Sequence, residues 1–448
     1  MTALWTAVPA PHPRVQWREQ RWWPVLPLLA TVLLLAVPVQ TAGAGTSANV
    51  TPADIASCVL VAFALGRVLH LRRRPLTPAA ALVLGLPTAG IAVATFTAAD
   101  PAAALTGFVR YLQVFVLVPT AVVLLVRTPR NFRVIAGSLI ALALVQGAVG
   151  VHQYATGTGA SYRGEDIRAV GTFGPTDVMG MATVVSYGLL AALALALRTP
   201  GNAPPWLRPA ATAAAAALVV PLALSFSRGA WIATLAAAVA MILLTGPRRA
   251  VRALAVLTAV SVVLVGGFGI GSEMISQRLT SITEVTETPD RSVTDRYTMW
   301  AAATSMWDDR PATGVGLKGF PVHRDAHASI GLSSGSDTAG AGQEFHKQAL
   351  LSPHNMYLLV LSEQGLIGIT AFVGSWAAIL VAGVRGLTLP RRNRRATDCG
   401  LAAVGLMTWQ TVDFLYADIG GPSTVLTGIV LGLAAWWALA QPAEATAA

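Results

Sequence analysis

Long apolar stretches recur along the chain, and short polar or basic segments separate them. Most of these stretches hold about 20 residues, the length that an α-helix needs to cross a lipid bilayer. The pattern predicts an all-α polytopic membrane protein with about twelve spans, because lipid forces a backbone to satisfy its own hydrogen bonds. The predicted spans are residues 24–40, 52–71, 78–98, 105–126, 132–151, 178–197, 209–226, 230–245, 251–271, 357–384, 399–416 and 423–440.

The composition agrees with this class of protein. Of the 448 residues, 54% are hydrophobic and 12% are charged, and the mean hydropathy is +0.61. A soluble chain carries about twice that share of charged residues. Cys58 and Cys399 fall in separate apolar stretches, so they provide neither a disulfide framework nor the spacing of a metal site. We expect no metal and no cofactor.

Basic residues are confined to alternate loops. With the N-terminus in the cytoplasm, the N-terminal segment and every predicted inner loop carry arginine, whereas the short outer loops 41–51, 99–104 and 417–422 carry neither Lys nor Arg. This distribution follows the positive-inside rule and places both termini in the cytoplasm. The net charge of +10 is therefore explained by topology, and the expected partner is the lipid bilayer rather than nucleic acid.

Four segments follow from this topology. Residues 1–23 form a cytoplasmic segment, residues 24–271 hold nine spans, residues 272–353 form a large extracytoplasmic loop, and residues 354–441 hold three spans. The first span is expected to be a retained anchor, although small residues at 42–44 also fit the cleavage site of a signal peptide. Long loops between spans commonly carry function, so a site is expected on the outer side.

The large loop ends in a predicted helix start. Ser352 is predicted as the N-cap and Pro353 as the first helical residue, which places His354 in the first turn. Unpaired N–H groups there disfavour imidazolium and attract phosphate, so His354 is a candidate neutral base beside an anion site. The alternative is a polar interfacial histidine with no chemical role.

Arginines on the predicted outer side break the charge rule. Arg228 lies in a very short turn between spans, and Arg296 lies on an amphipathic stretch of the large loop. Arg168 precedes a Gly/Pro turn, and Arg110 lies a turn or two inside the fourth span. Guanidiniums bind phosphate oxygens bidentately, so converging arginines suit a pyrophosphate. The alternatives are snorkelling to lipid phosphates and, for Arg296, a pair with Asp295.

Other polar residues leave two interpretations open. Glu363 and Asp413 lie near the outer ends of predicted spans, where each is either a buried partner for an arginine or part of the site. His323 and His327 have the i, i+4 spacing of zinc ligands, but the sequence offers no third ligand and a solvated loop is favoured.

Three blocks of the chain carry a family resemblance. They are Ser-Arg-Gly-Ala-Trp at 227–231, the run from Arg296-Tyr297 to the Gly-Val-Gly-Leu-Lys-Gly-Phe of 314–320, and the run from His354-Asn355 through Glu-Gln-Gly-Leu-Ile-Gly at 363–368. Together with the weaker Arg168 segment they cover about 168–372. On these blocks the chain resembles the superfamily of O-antigen ligases and polymerases, the glycosyltransferases of bacterial envelopes.

The resemblance implies a GT-C-like, metal-independent enzyme of the cytoplasmic membrane. Such enzymes move a glycan from undecaprenyl pyrophosphate to an acceptor hydroxyl at the outer face. By motif, His354 matches the proposed base and Arg228 and Arg296 match the pyrophosphate-binding arginines, with Arg168 and Arg110 as further candidates. The residues expected in supporting roles are Asn355, Glu363, Asp413 and Lys318.

Several functions remain open at this point. The acceptor is a glycan, a lipid or a protein, so a polysaccharide polymerase and a protein O-oligosaccharyltransferase are alternatives to a ligase. A multispan transporter or flippase is an alternative of a different class. Transport sites concentrate near the middle of the membrane, whereas the charged residues here are predicted at its outer surface.

Overall fold

The computed structural model describes residues 23–38, 51–71, 76–162, 166–248, 251, 291–329, 332, 336–338, 346–348, 350–388 and 396–440. Helices dominate this part of the chain. They are α1 Leu26–Leu33, α2 Pro52–Leu71, α3 Pro78–Gly85, α4 Pro87–Phe96, α5 Pro101–Leu112, α6 Val118–Leu125, α7 Pro129–Thr156, α8 Gly180–Leu197, α9 Leu207–Leu224, α10 Arg228–Leu244, α11 Arg291–Asp309, α12 Phe320–His327, α13 Met356–Thr388, α14 Thr397–Asp413 and α15 Thr424–Leu439.

The protein is a polytopic membrane protein. Within the described residues, seven helical stretches are long and apolar enough to cross a bilayer. They are Pro52–His70, Pro78–Phe96, Pro101–Leu125, Pro129–Thr156, Gly180–Leu197, Leu207–Leu224 and Met356–Thr388. Three shorter apolar stretches, Trp23–Ala36, Arg228–Leu244 and Thr424–Leu439, coincide with further predicted spans. The predicted ninth span, 251–271, lies outside the described residues.

A small sheet is a feature that the all-α prediction lacked. Four strands of three residues pair antiparallel in the order β2-β1-β3-β4. They are β1 Ala160–Tyr162, β2 Asp166–Arg168, β3 Ser336–Thr338 and β4 His346–Gln348. The pairing of Tyr162 with Thr338 joins the segment after α7 to the segment before α13. Strands of three residues are too short to show an alternating pattern in the sequence.

Helix α8 lies at the centre of one half of the bundle. It packs against α7, α9, α10 and α14, and small residues such as Gly188 allow the close approach to α7. A second apolar cluster surrounds α13 and includes Phe115, Phe372, Trp376 and Phe414. This second cluster contacts the segment that carries His354. Met356, two residues after His354, belongs to the cluster, and its N–H donates to the carbonyl of Phe414, another member.

A bend in α13 explains the Glu-Gln-Gly-Leu-Ile-Gly block. Gly365 has φ +61°, which interrupts the helical hydrogen bonds around it. The segment 311–316 takes up the freed groups: the amides of Val315, Gly316, Leu366 and Ile367 donate to the carbonyls of Ser362, Glu363, Pro311 and Ala312 at 2.8, 3.1, 2.8 and 3.2 Å. The second and third sequence blocks are thus joined by backbone hydrogen bonds.

Gly365→Ala is expected to destabilise this junction strongly. A Cβ atom at Gly365 would lie 2.4 Å from the backbone of Ala312, in addition to the strain of a left-handed alanine. We expect a loss of about 3 kcal/mol, seen as a lower midpoint of thermal unfolding in detergent. Gly374→Ala in the same helix is the control, because its Cβ would meet only Leu86 at 3.7 Å. Equal midpoints for the two variants would contradict this role of Gly365.

Candidate functional site

His354 lies in a tight turn just before α13. The helix begins at Met356, and Asn355 caps it: the Asn355 Oδ1 accepts the Leu358 N–H at 3.1 Å and its carbonyl accepts the Leu359 N–H at 2.9 Å. The prediction of Ser352 as the N-cap and of Pro353 as the first helical residue was therefore wrong. Asparagine caps helices as well as serine does, and here the residue nearer the helix took the position.

The backbone of His354 is left-handed, with φ +49°. This conformation is uncommon for a residue with a side chain, so neighbouring contacts must hold it. The Trp300 Nε1 of α11 donates to the Pro353 carbonyl at 2.8 Å. The Asn355 Nδ2 donates to the Leu415 carbonyl at 3.1 Å, and the Met356 N–H is shared by the carbonyls of residues 414 and 417. Helix α11 and the segment 413–418 therefore fix the turn.

Two opposite charges act on the His354 ring. Burial lowers the pKa of His354, the Arg296 guanidinium lowers it further, and the Asp418 carboxylate raises it. Arg296 lies one helical turn before Trp300, whose indole holds the turn. The net effect is a neutral imidazole near neutral pH. The sequence attributed a neutral His354 to the N-terminus of a helix. In the structure His354 precedes the helix, and burial is the main cause of its lowered pKa.

Arg228 begins α10 at the other side of the segment 413–418. Ser227 caps this helix, with its Oγ accepting the Ala230 N–H at 3.3 Å. Gly229 packs on Tyr416, where an added Cβ would lie 3.2 Å from the Tyr416 Cβ. The first turn of α10 therefore rests on the same segment that holds His354. The structure brings the Arg228, Arg296 and His354 segments of the three sequence blocks to one end of the bundle.

Arg168 and Arg110 lie at this end too, in different surroundings. Arg168 ends β2, and the next amide, of Ala169, donates to the Leu224 carbonyl at 3.0 Å, one turn before Arg228. Arg110 forms an ion pair with Asp54 and donates to the Gly421 carbonyl at 3.1 Å. A phosphate at Arg110 would compete with these protein partners, so positioning of the loop after α14 is the role that its contacts favour.

The loop between α14 and α15 has an acidic anchor. The Asp177 Oδ2 accepts the Ser423 N–H at 2.9 Å. Burial raises the pKa of Asp177 to about 6, although bonds from Ser423 and Gly180 and the Arg110 cation lower it. Asp413, the last residue of α14, lies within electrostatic range of Asp177 and Asp418. The segment 413–418 that supports His354 thus carries two carboxylates, Asp413 and Asp418, and Asp177 lies within electrostatic range of Asp413.

Glu363 and Lys318 lie beside the bend in α13. The Glu363 side chain is 2% exposed, and its Oε1 accepts the Phe320 N–H at 3.2 Å. Lys318 has φ +61°, donates its own amide to Glu363 and lies within electrostatic range of it. The Lys318 side chain also contacts α5 at Gly107.

The two histidines of α12 have local partners. The His323 Nδ1 lies 2.9 Å from the Gly319 carbonyl, and the His327 Nδ1 lies 3.0 Å from the Ser305 Oγ. The His327 Nε2 also approaches the Asp309 carboxylate at 3.6 Å. The two contacts of His327 tie α12 to α11.

Sequence reasoning missed Asp418 and Asp177. Both lie in predicted outer loops, and the loop 417–422 was read only for its lack of Lys and Arg. For Asp418 the available signal was a lone acid in a loop without Lys or Arg between two spans; the loop of Asp177 has no such signal, because it also holds arginines and other acids. Without the fold, nothing in the sequence connects Asp418 with a histidine 64 positions earlier.

Residues 213–373 match a family model described as O-antigen ligase. The match runs from α9 into α13 and includes Arg228, Arg296 and His354. It confirms the family resemblance drawn from the three blocks. A search of curated proteins found no match to the chain.

Proposed function

Residues 213–373 match the O-antigen ligase family model, and on this basis we propose that the chain works as a member of the superfamily of O-antigen ligases and polymerases. It transfers a glycan from undecaprenyl pyrophosphate to an acceptor hydroxyl at the outer face of the cytoplasmic membrane. Both termini lie in the cytoplasm, and residues 272–353 form an extracytoplasmic loop. The scheme assigns no step to a metal ion.

One observation carries this proposal. The segment 413–418 supports both the turn that holds His354 and the first turn of the helix that begins at Arg228, and Arg296 acts on the His354 ring from α11. A base and two guanidiniums from distant parts of the chain thus lie at one end of the bundle. Such a set suits the removal of a hydroxyl proton beside a departing pyrophosphate.

The chemistry follows from these groups. Pyrophosphate is a good leaving group, so charge stabilisation by arginine is needed more than a general acid. We assign this stabilisation to Arg228 and Arg296, with Arg168 as a further candidate at the same end. His354 removes the acceptor proton, for which a neutral imidazole is required. Attack opposite the departing pyrophosphate inverts the anomeric carbon.

Asp418 has a positioning role in this scheme. Its carboxylate acts on the His354 ring in the direction that favours the imidazolium formed when the proton arrives. Arg296 acts in the opposite direction, which keeps the free base neutral before the reaction. Arg296 therefore favours the neutral ring that accepts the proton, and Asp418 favours the imidazolium that forms when the proton arrives.

The pH dependence of transfer is expected to move in opposite directions in two variants. Neutral His354 is the active form, so the rate falls as pH drops through its pKa. Asp418→Asn removes the charge that raises this pKa, so the acid limb moves to lower pH, whereas Arg296→Gln moves it to higher pH. The measurement is kcat/KM against pH for both variants. If the acid limbs of the two variants moved in the same direction, His354 would be excluded as the titrating base.

Purified protein in lipid vesicles provides the test of the reaction class. Incubation with an undecaprenyl-pyrophosphate glycan and a hydroxylated acceptor should release undecaprenyl pyrophosphate and join the glycan to the acceptor. Movement of the lipid across the vesicle without release would favour a flippase. Varying the acceptor between lipid-linked glycan, lipid and peptide distinguishes polymerase, ligase and protein O-oligosaccharyltransferase.

A further inference from the structure

Three buried polar atoms, on side chains within electrostatic range of one another, have no hydrogen-bond partner among the described residues. They are the Tyr111 Oη of α5, the Glu363 Oε2 of α13 and the Asp418 Oδ2 of the loop before α15. Tyr111 and Glu363 are each 2% exposed. A buried polar atom without a partner costs about 1–3 kcal/mol, so three of them in one region call for a common explanation.

The three side chains are neighbours although they come from distant parts of the chain. Tyr111 lies within electrostatic range of both Glu363 and Asp418, and Glu363 lies within range of Asp418. Asp418 in turn acts on His354. Asp418 therefore connects the candidate base with Glu363 and Tyr111 through these electrostatic interactions.

Cations flank this group on both sides. Arg296 acts on His354, and Lys318 acts on Glu363. Asp413 adds a further carboxylate within electrostatic range of Asp418. Asp418 and Glu363 thus provide carboxylates that can accept a proton from an imidazolium at His354.

A cluster of aromatic rings packs against Tyr111. The Tyr111 and Phe115 rings lie 5.7 Å apart, and Phe115 lies 6.4 Å from Phe414 and 5.3 Å from Phe372. Polar atoms enclosed in this way are the usual ligands of an ordered internal water, which forms two to four hydrogen bonds. One phenol and two carboxyl oxygens supply that number.

We propose that Tyr111, Glu363 and Asp418 bind ordered water and form a proton relay that removes the proton from His354 after each transfer. The relay deepens the proposed function and rests on it. Asp418 accepts from the ring, the water joins Asp418 to Glu363, and Tyr111 positions the water. Glu363 releases the proton to bulk water beside Lys318, whose side chain is exposed.

The steps balance. The acceptor O–H bond breaks, its proton goes to the imidazole, and its electron pair forms the bond to the anomeric carbon. The bond from that carbon to the pyrophosphate oxygen breaks and leaves its electron pair on the pyrophosphate. The imidazolium then gives its proton to Asp418, and the relay returns it to solvent, which restores the neutral base for the next turnover.

Glu363→Gln tests the relay in transfer assays. The variant keeps an oxygen for the Phe320 amide but cannot carry a proton, so the steady-state rate should fall about 10-fold and the solvent deuterium isotope effect should rise. Tyr111→Phe should give a smaller change of the same kind. Ser362→Ala is the matched control, because its buried Oγ bonds only within the helix, to Leu359 at 3.1 Å. Wild-type rates and isotope effects in Glu363→Gln would overturn the relay.

A second measurement is independent of transfer. Infrared spectra of the full-length protein, titrated in D2O, should show a protonated carboxyl band that Glu363→Gln removes. Asp418→Asn should change the midpoint of this band, because the relay couples the two carboxyls. An unchanged midpoint would contradict the relay whether or not the protein releases undecaprenyl pyrophosphate. A wild-type protein without release, but with coupled carboxyls, would instead overturn the proposed reaction and leave the buried proton site in place.

Discussion

His354→Ala is expected to abolish glycan transfer while the protein still inserts and folds in the membrane. The ring is the candidate base, and general base catalysis contributes about 10²–10⁴-fold to such reactions. The backbone of the turn is held by Trp300 and by the segment 413–418, and none of these bonds uses the imidazole. The measurement is single-turnover release of undecaprenyl pyrophosphate, with thermal unfolding in detergent to compare stability.

His323→Ala is the matched control for this variant. His323 also belongs to the predicted outer loop, and among the described residues its ring bonds only to the carbonyl of Gly319, the residue before α12. We expect transfer by His323→Ala to stay near the wild-type rate. Normal transfer by His354→Ala, with stability unchanged, would remove His354 from the mechanism.

Arg228→Lys is expected to lower transfer by about 10-fold or more, a difference of roughly 1.4 kcal/mol in transition-state stabilisation. Lysine keeps the charge but replaces a planar fork with a single ammonium, which cannot hold two phosphate oxygens at once. The measurement is kcat/KM for the lipid-pyrophosphate donor. Equal values for arginine and lysine would indicate that Arg228 supplies only surface charge.

Arg208→Lys is the control for the second variant. Arg208 lies in the first turn of α9, at the far end of that helix from Arg228, and its side chain is exposed. Its predicted role is to keep its loop on the cytoplasmic side, and lysine and arginine have the same effect on membrane topology. A loss of transfer in Arg208→Lys equal to that in Arg228→Lys would point to a general effect of charge.

The helices and the family could be predicted because their signals are local or sequential. Each apolar stretch is continuous, and the three blocks keep their order along the chain. The capping error at His354 arose within a few residues, where Ser352 and Asn355 both suit an N-cap and only the surrounding contacts select one. The segment 413–418 made that selection through bonds to Asn355 and Met356.

The acidic part of the site could be predicted only in part, for a different reason. The sequence made Glu363 a candidate but not Asp418 or Asp177. The roles of all three depend on burial and on proximity to Arg110, Lys318 or His354, which belong to distant segments. Neither burial nor spatial proximity can be inferred from the pattern of a single sequence. The bend at Gly365 is an intermediate case: the glycine was visible in its block, but its purpose, the backbone hydrogen bonds with the segment 311–316, required the fold.

The central claim is that His354 and the arginines form one site at the outer face of the membrane. Labelling of Leu351→Cys with a membrane-impermeant maleimide tests it most directly, because Leu351 is 58% exposed and lies three residues before His354. The background carries Cys58→Ser and Cys399→Ser, and Asn202→Cys in a predicted inner loop is the reference. We predict labelling at 351 in intact spheroplasts and labelling at 202 only after permeabilisation. The reverse order would place the site in the cytoplasm and contradict transfer at the outer face.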